Sequence, residues 1–294
     1  MEEFIASTLR SATPLALAAC GALFAVRAGI FHLGIEGLML ASAFTAVAVA
    51  HETSSVVLAV GAALIVSAVL SLLYWGLMEF VKTDSVITGL GLTTLSLGGT
   101  AFLLDALFDQ RGRLDSPVGL PRPVQGADAG LGAFVTELSI LGWSTPILVA
   151  VTWLVMRRTG FGLRLVAVGT YPYGARAADV SEASVRLGAM LAASIGASLA
   201  GVELALGGLS GFSEGMTAGR GYIALAAVLL GLMRPVGVAG AALFFGSTAA
   251  IGVVTQIHSA DLLPRPFILM IPFVVTIVAV TVSASVQQRA NRPV

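Results

Sequence analysis

The chain is read as an all-α polytopic membrane protein with about nine transmembrane helices, some of them broken, and one short cytoplasmic helix. Three observations predict this. Hydrophobic residues make up 57% of the 294 residues and charged residues only 11%, against about 25% charge in an ordinary soluble domain; mean hydropathy is +0.95. Apolar runs of about 20 residues, enough for a helix to cross a bilayer, recur along the whole length, so 1–294 is one transmembrane domain with no separate soluble domain. Lysine and arginine are also spread unevenly between the connections, as the positive-inside rule requires of a membrane protein.

In chain order, the first apolar segment covers 11–30, with Pro14 near its start. Its N-terminal flank carries Glu2 and Glu3 where a cleavable signal would carry positive charge. Gly29, Gly34 and Gly37 break the segment before a second apolar run, 38–50. A third covers 55–78 and a fourth 86–107. Residues 109–138 are rich in proline and glycine and read as an external loop. A fifth span covers 139–156, and a basic connection, 157–187, follows. The sixth span, 188–206, carries Gly188, Ala192, Gly196 and Ala200 at every fourth position. Such a small-residue stripe lets a neighbouring helix approach closely in lipid. The remaining segments are a short seventh at 222–233, an eighth at 236–257 and a ninth at 266–286.

Placing 27–34, 79–84, 157–187, Arg234 and the C-terminal tail in the cytoplasm gathers ten of the sixteen basic residues there. The other side collects most of the acids, among them Glu2, Glu3, Glu52, Asp109, Asp115 and Glu214. The N-terminus is then outside and the C-terminus cytoplasmic, with nine crossings.

The stretch 207–231, GGLSGFSEGMTAGRGYIALAAVLLG, sets polar side chains where hydrocarbon is expected. Ser210, Ser213, Glu214, Thr217 and Arg220 alternate with six glycines, and the apolar run that follows is too short to span. A short, glycine-interrupted segment beside charges reads as a broken helix lining a protein-filled or watery space. Arg220 either pairs with Glu214 or reaches the external headgroups. Glu203 lies within a span and is expected to face protein, because a charge exposed to lipid is costly.

Catalytic chemistry is not expected. The one lysine, Lys82, follows Val81 where a phosphate-binding loop needs glycine. The histidines His32, His51 and His258 are isolated, and the single cysteine, Cys20, excludes an intrachain disulfide and a cysteine-cluster metal site. The chain is therefore either a transporter run by an ion gradient or one part of an energised complex. A gradient-driven transporter needs ionisable residues at mid-membrane, and only Glu203 and Glu36 offer themselves. An intramembrane enzyme finds no catalytic constellation.

The stretch 166–180, VAVGTYPYGARAADV, is polar, amphipathic and on the cytoplasmic side. Its alanines favour a helix, and Pro172 suits the first turn, where a missing N–H does no harm. GTYPYGARAADVS resembles the coupling-helix region of ABC importer permeases in the branched-chain amino acid/simple-sugar/nucleoside group, roughly G-x-N-P-x-A-A-x-x-x-G-I. GIFHLGIEGLMLASAF resembles that group's N-I-G-I-E-G-M-M-L segment, and GFSEGMTAGRGYIALAAVLLG its third signature. The nucleoside-type branch, with E-G-M-T-A-G-R-G-F-I-A-L-A, is the most similar. Five positions depart from the patterns. His32 and Tyr171 stand for asparagine, Gly174 for alanine, and Asp179–Val180 for Gly–Ile.

The resemblance implies the permease half of a type II ATP-driven importer in the bacterial cytoplasmic (inner) membrane. It takes up nucleosides or related small solutes, with a simple sugar or a branched-chain amino acid as the alternative. ATP and Mg bind a separate ATPase, so this chain is not itself an enzyme and holds no cofactor or metal. The implied partners are the ATPase, a second and often different permease chain, an external substrate-binding lipoprotein and membrane lipids, with no nucleic acid. ATPase coupling falls to Gly169, Tyr171, Pro172, Ala175, Arg176, Ala178 and Asp179. The translocation path falls to Gly34, Glu36, Gly37, Phe212, Ser213, Glu214 and Thr217. A nucleoside wants aromatic surface and hydrogen-bonding groups, which Phe212, Ser213 and Thr217 offer. Glu36 and Glu214 either contact solute or bond the backbone N–H groups freed where helices break.

Overall fold

The computed structural model describes residues 2–123, 138–208 and 210–258, together with Val274 and Thr281. These form ten α-helices: α1 (Glu2–Arg27), α2 (Ile35–Thr53), α3 (Val56–Glu79), α4 (Ser85–Phe108), α5 (Ile140–Arg158), α6 (Gly160–Thr170), α7 (Pro172–Ala177), α8 (Glu182–Val202), α9 (Arg220–Leu230) and α10 (Pro235–His258). A π-helical turn, Glu203–Gly208, prolongs α8. Two three-residue strands, β1 (Arg113–Asp115) and β2 (Gly211–Ser213), pair antiparallel with Leu114 opposite Phe212.

Helix starts follow side-chain caps. The Asp84 carboxylate accepts from Val86 N at 2.8 Å, and Ser139 Oγ accepts from Gly142 N at 3.0 Å. Thr159 and Ser181 cap α6 and α8 in the same way. Among the described residues seven helices are long and apolar enough to cross a membrane: α1 to α5, α8 with its π-turn, and α10.

α1 and α2 form the centre. α1 is packed by α8, α9 and α10, and α2 by α3, α4 and α8. Leu17, Ala18, Ala19, Ala22, Leu23 and Ala25 are fully buried. The outer helices α3, α4 and α5 turn Val57, Ile87 and Ile147 outward, a distribution suited to lipid contact. The small-residue stripe does bring helices together. A Cβ on Gly196 of α8 would lie 2.6 Å from the Leu17 carbonyl of α1, and one on Gly21 would lie 2.9 Å from the Ala193 carbonyl. Hydroxyl-to-carbonyl bonds lace α3 to α8, Ser67 to Ser194 at 3.0 Å and Ser71 to Met190 at 2.9 Å. Interhelical polar bonds of this kind substitute in lipid for the missing hydrophobic drive.

Several expectations are revised. The seventh segment is an eleven-residue half-helix, α9, and no spanning element. The ninth, 266–286, lies outside the described residues apart from two positions. The 157–187 connection is mostly helical, holding α6, α7 and the start of α8. The 109–138 loop supplies a strand to a ribbon that apolar periodicity does not announce. The first helix begins at Glu2, ahead of the 11–30 segment, and runs through Pro14.

Candidate functional site

The stretch around Glu36 is built from two helix breaks. α1 ends at Arg27, and the chain runs through Gly29 (φ +80°) and His32 before restarting as α2 at Ile35. Far along the sequence, β2 leads through the turn 214–219 to the half-helix α9. Gly219, in the left-handed region at φ +81°, precedes α9 and offers no side-chain cap. Glu36 supplies that cap from α2. Its Oε1 accepts from Gly219 N at 2.8 Å and its Oε2 from Gly221 N at 2.6 Å. The carboxylate is buried and satisfies two of the amides a helix start leaves unpaired. The N-terminal ends of both α2 and α9 converge on it.

Glycine makes this approach possible. A Cβ on Gly221 would sit 2.7 Å from Glu36 Cα. One on Gly37 would sit 2.8 Å from Thr93 Cα, and one on Gly34 would meet the rings of Tyr74 and His32. α9 rises about 16 Å over its eleven residues. It ends at the corner 231–234, where Arg27 donates from Nε and Nη2 to the Met233 carbonyl at 3.0 and 2.7 Å. The corner therefore lies about 16 Å from the Glu36 site, at the other end of α9.

The two buried glutamates have different partners. Glu203 faces protein, as expected, and accepts from Ser139 Oγ at 2.6 Å. Arg220 forms no ion pair with Glu214 among the described residues. It is half-buried, with Nη1 donating to the Met216 and Thr217 carbonyls at 2.9 and 3.4 Å, and it is attracted to Glu36 rather than Glu214.

The other residues expected along a path divide. Phe212 is fully buried and packs edge-on against Phe44 at 5.3 Å. Thr217 is buried with its hydroxyl unpartnered, and Ser213 is half-buried. Glu214 is exposed, and its Oε1 accepts from Gly112 N at 2.8 Å, anchoring the ribbon. Both path glutamates thus bond backbone amides near breaks.

The residues expected to contact an ATPase lie on and beside α7. Pro172 opens α7, and Ala175 is the buried residue of that helix. Arg176 donates to Glu182 at 2.5 Å, and this hydrogen bond raises its already high pKa. Ala178 is exposed, and Asp179 has φ +57°. Two departures from the family pattern explain each other. The Tyr171 ring lies over Gly174 so closely that a Cβ there would collide with it. A third departure is also intelligible, since a left-handed residue 179 suits the glycine of the pattern and is tolerated by aspartate. Gly169 packs directly on the Arg27 carbonyl, leaving no room for a Cβ.

Sequence reasoning missed Gly219 and Gly221, whose amides Glu36 holds, although both stand in the matched signature. It missed Tyr173, exposed beneath Arg176 at 5.7 Å; an aromatic on a short polar helix was the available signal. It read Arg27 only for orientation, and nothing local in sequence points to a carbonyl at Met233.

The family described as the permease component of branched-chain amino acid transport systems matches residues 4–280. The guanosine ABC transporter permease protein NupQ of Bacillus subtilis is 29% identical over 94% of this chain and 90% of its own. The nucleoside ABC transporter permease protein NupC of Lactococcus lactis is 27% identical over 95% and 91%. A Haloferax volcanii permease named for a glucose ABC transporter is 30% identical over 88% and 79%. No solved structure matches. With its buried helix breaks and seven long apolar helices among the described residues, the chain belongs to the family of permease components of branched-chain amino acid transport systems.

Proposed function

We propose that this chain is the transmembrane half of an ATP-driven importer for nucleosides, working with an ATPase that carries ATP and Mg, a second permease and an external binding lipoprotein. The relatives named for guanosine and nucleoside transport support the solute class. The observation that carries the mechanism is the Glu36 carboxylate holding the amides of Gly219 and Gly221. It makes α9 a half-helix hinged at mid-bundle, the kind of discontinuity transporters set beside a solute path.

In this reading the α7 end faces the cytoplasm of the inner membrane, and the C-terminus lies there too. Gly169, Tyr171, Pro172, Ala175, Arg176, Ala178 and Asp179 form the surface on which the ATPase pushes. The path runs between two permease halves. Gly34, Glu36 and Gly37 shape its wall at the break, and Phe212, Ser213, Glu214 and Thr217 shape it further out. Because Phe212 and Thr217 are buried within one subunit, they act by setting the wall's form or by exposure when the halves rock.

Reconstitution tests this. The chain alone should hydrolyse no ATP, and with its ATPase, second permease and binding protein it should show nucleoside-stimulated hydrolysis. Uptake by this chain alone on a proton or sodium gradient would overturn the reading. Substitutions at Phe212, Glu214 or Thr217 should lower transport in an assembled complex, and normal transport in all three removes the path assignment. The relative named for glucose supports a sugar as second reading; a thermal-shift panel on the binding protein decides between them.

A further inference from the structure

A cavity of about 690 Å³ opens where α1, α5, α6 and the α9–α10 corner meet. Three arginines line it, Arg27, Arg157 and Arg234, and no acidic residue does. Arg157 and Arg234 are exposed, and neither pairs with a carboxylate among the described residues. Arg157 lies 6.0 Å from the centre of the Trp153 ring, which is also part of the lining. Arg27 spends Nε and Nη2 on the Met233 carbonyl. The Arg27 and Arg234 guanidinium groups repel each other. Gathered cations without a counter-anion are costly, and a bound anion relieves that cost.

The rest of the lining is apolar. Leu232, Val236 and Phe244 are 51%, 68% and 43% exposed, and two of them stand on the spanning helix α10. Such a surface beside arginines suits a molecule with a phosphate at one end and acyl chains at the other. Trp153 has the amphipathic ring usual at a membrane–water interface. Arginine forks match phosphate oxygens.

We propose that this cavity is a binding site for an anionic phospholipid, its phosphate among Arg27, Arg157 and Arg234 and its acyl chains along Val236 and Phe244.

The test uses the full chain in vesicles and reads tryptophan quenching by dibrominated phosphatidylglycerol against dibrominated phosphatidylcholine. Trp153→Phe defines the background from Trp75 and Trp143. The native chain should prefer phosphatidylglycerol at Trp153. Arg157→Gln/Arg234→Gln removes two exposed arginines, spares the Arg27 bond to Met233, and should lower the preference about fivefold for each arginine. Arg158→Gln/Arg164→Gln removes two exposed charges outside the lining and should leave it intact. Equal losses in both double variants would assign the effect to general surface charge and overturn the site. So would an unchanged preference in the first. Relief of quenching by millimolar inorganic phosphate would make the ligand a soluble anion and overturn the lipid assignment. A first variant that keeps the preference but no longer co-purifies with its ATPase would move these arginines to a subunit contact.

Discussion

Glu36 and Glu214 do the same chemistry in opposite surroundings. Each offers its carboxylate to backbone amides of a remote segment, Glu36 to Gly219 and Gly221 and Glu214 to Gly112. Glu36 is buried where two helix starts converge, while Glu214 stands exposed on a two-stranded ribbon. Water can replace Glu214 at an amide, and nothing can replace Glu36. The difference shows that a helix start inside a bundle depends on a side chain brought from another helix, whereas an amide on an exposed ribbon is shared with solvent.

The largest effect that could break this comparison is at Glu36. Glu36→Ala removes two charge-assisted bonds, each worth about 1.5–3 kcal/mol, so a loss of about 3–6 kcal/mol is expected from denaturant unfolding in detergent. A midpoint shift no larger than that of Glu214→Ala would defeat the contrast. Next comes Gly221→Ala, whose Cβ must displace Glu36 backbone; overpacking of this kind costs about 1–3 kcal/mol. Glu214→Ala should cost under about 1 kcal/mol, read as a small midpoint shift with the fold retained.

His32 sharpens the comparison from another side. It is fully buried with neither ring nitrogen partnered, edge-on to Tyr74 at 4.5 Å. His32→Phe keeps a ring against Tyr74 and discards two unsatisfied atoms, so stability should hold or rise by up to about 1 kcal/mol. A loss of more than that would mean the imidazole has a partner in the assembled membrane. The smallest effect is at the other end. Asp179→Gly relieves a left-handed residue and should gain a few tenths of a kcal/mol, seen as a slight rise in thermal midpoint.

Much of the fold was legible because lipid imposes a simple rule, that apolar length equals a crossing. Seven long helices and the shortness of α9 followed from it. The ribbon did not, since three-residue strands carry no periodicity and Gly211 to Ser213 pair with residues about a hundred positions earlier. At the site, glycine density around 34–37 and 207–221 pointed to the breaks, and acids beside them suggested amide bonding. Which amides could not be read, because the cap on α9 comes from a residue 183 and 185 positions away. Arg220 misled for the same reason. Its nearest acid in sequence, Glu214, is turned to the ribbon, and its own carbonyls lie one turn back.

The Arg27 bond to Met233 has a mechanical consequence. Leu232 and Met233 both hold left-handed backbone, at φ 56° and 55°, and the guanidinium joins the backbone bonds of Leu232, Met233 and Arg234 in holding this strained corner. The carbonyl of the same arginine is the seat of Gly169, just ahead of α7. One residue therefore fastens two joints, the neck of α7 and the foot of α9. The half-helix is in this way fastened at both ends, at Glu36 and at the corner.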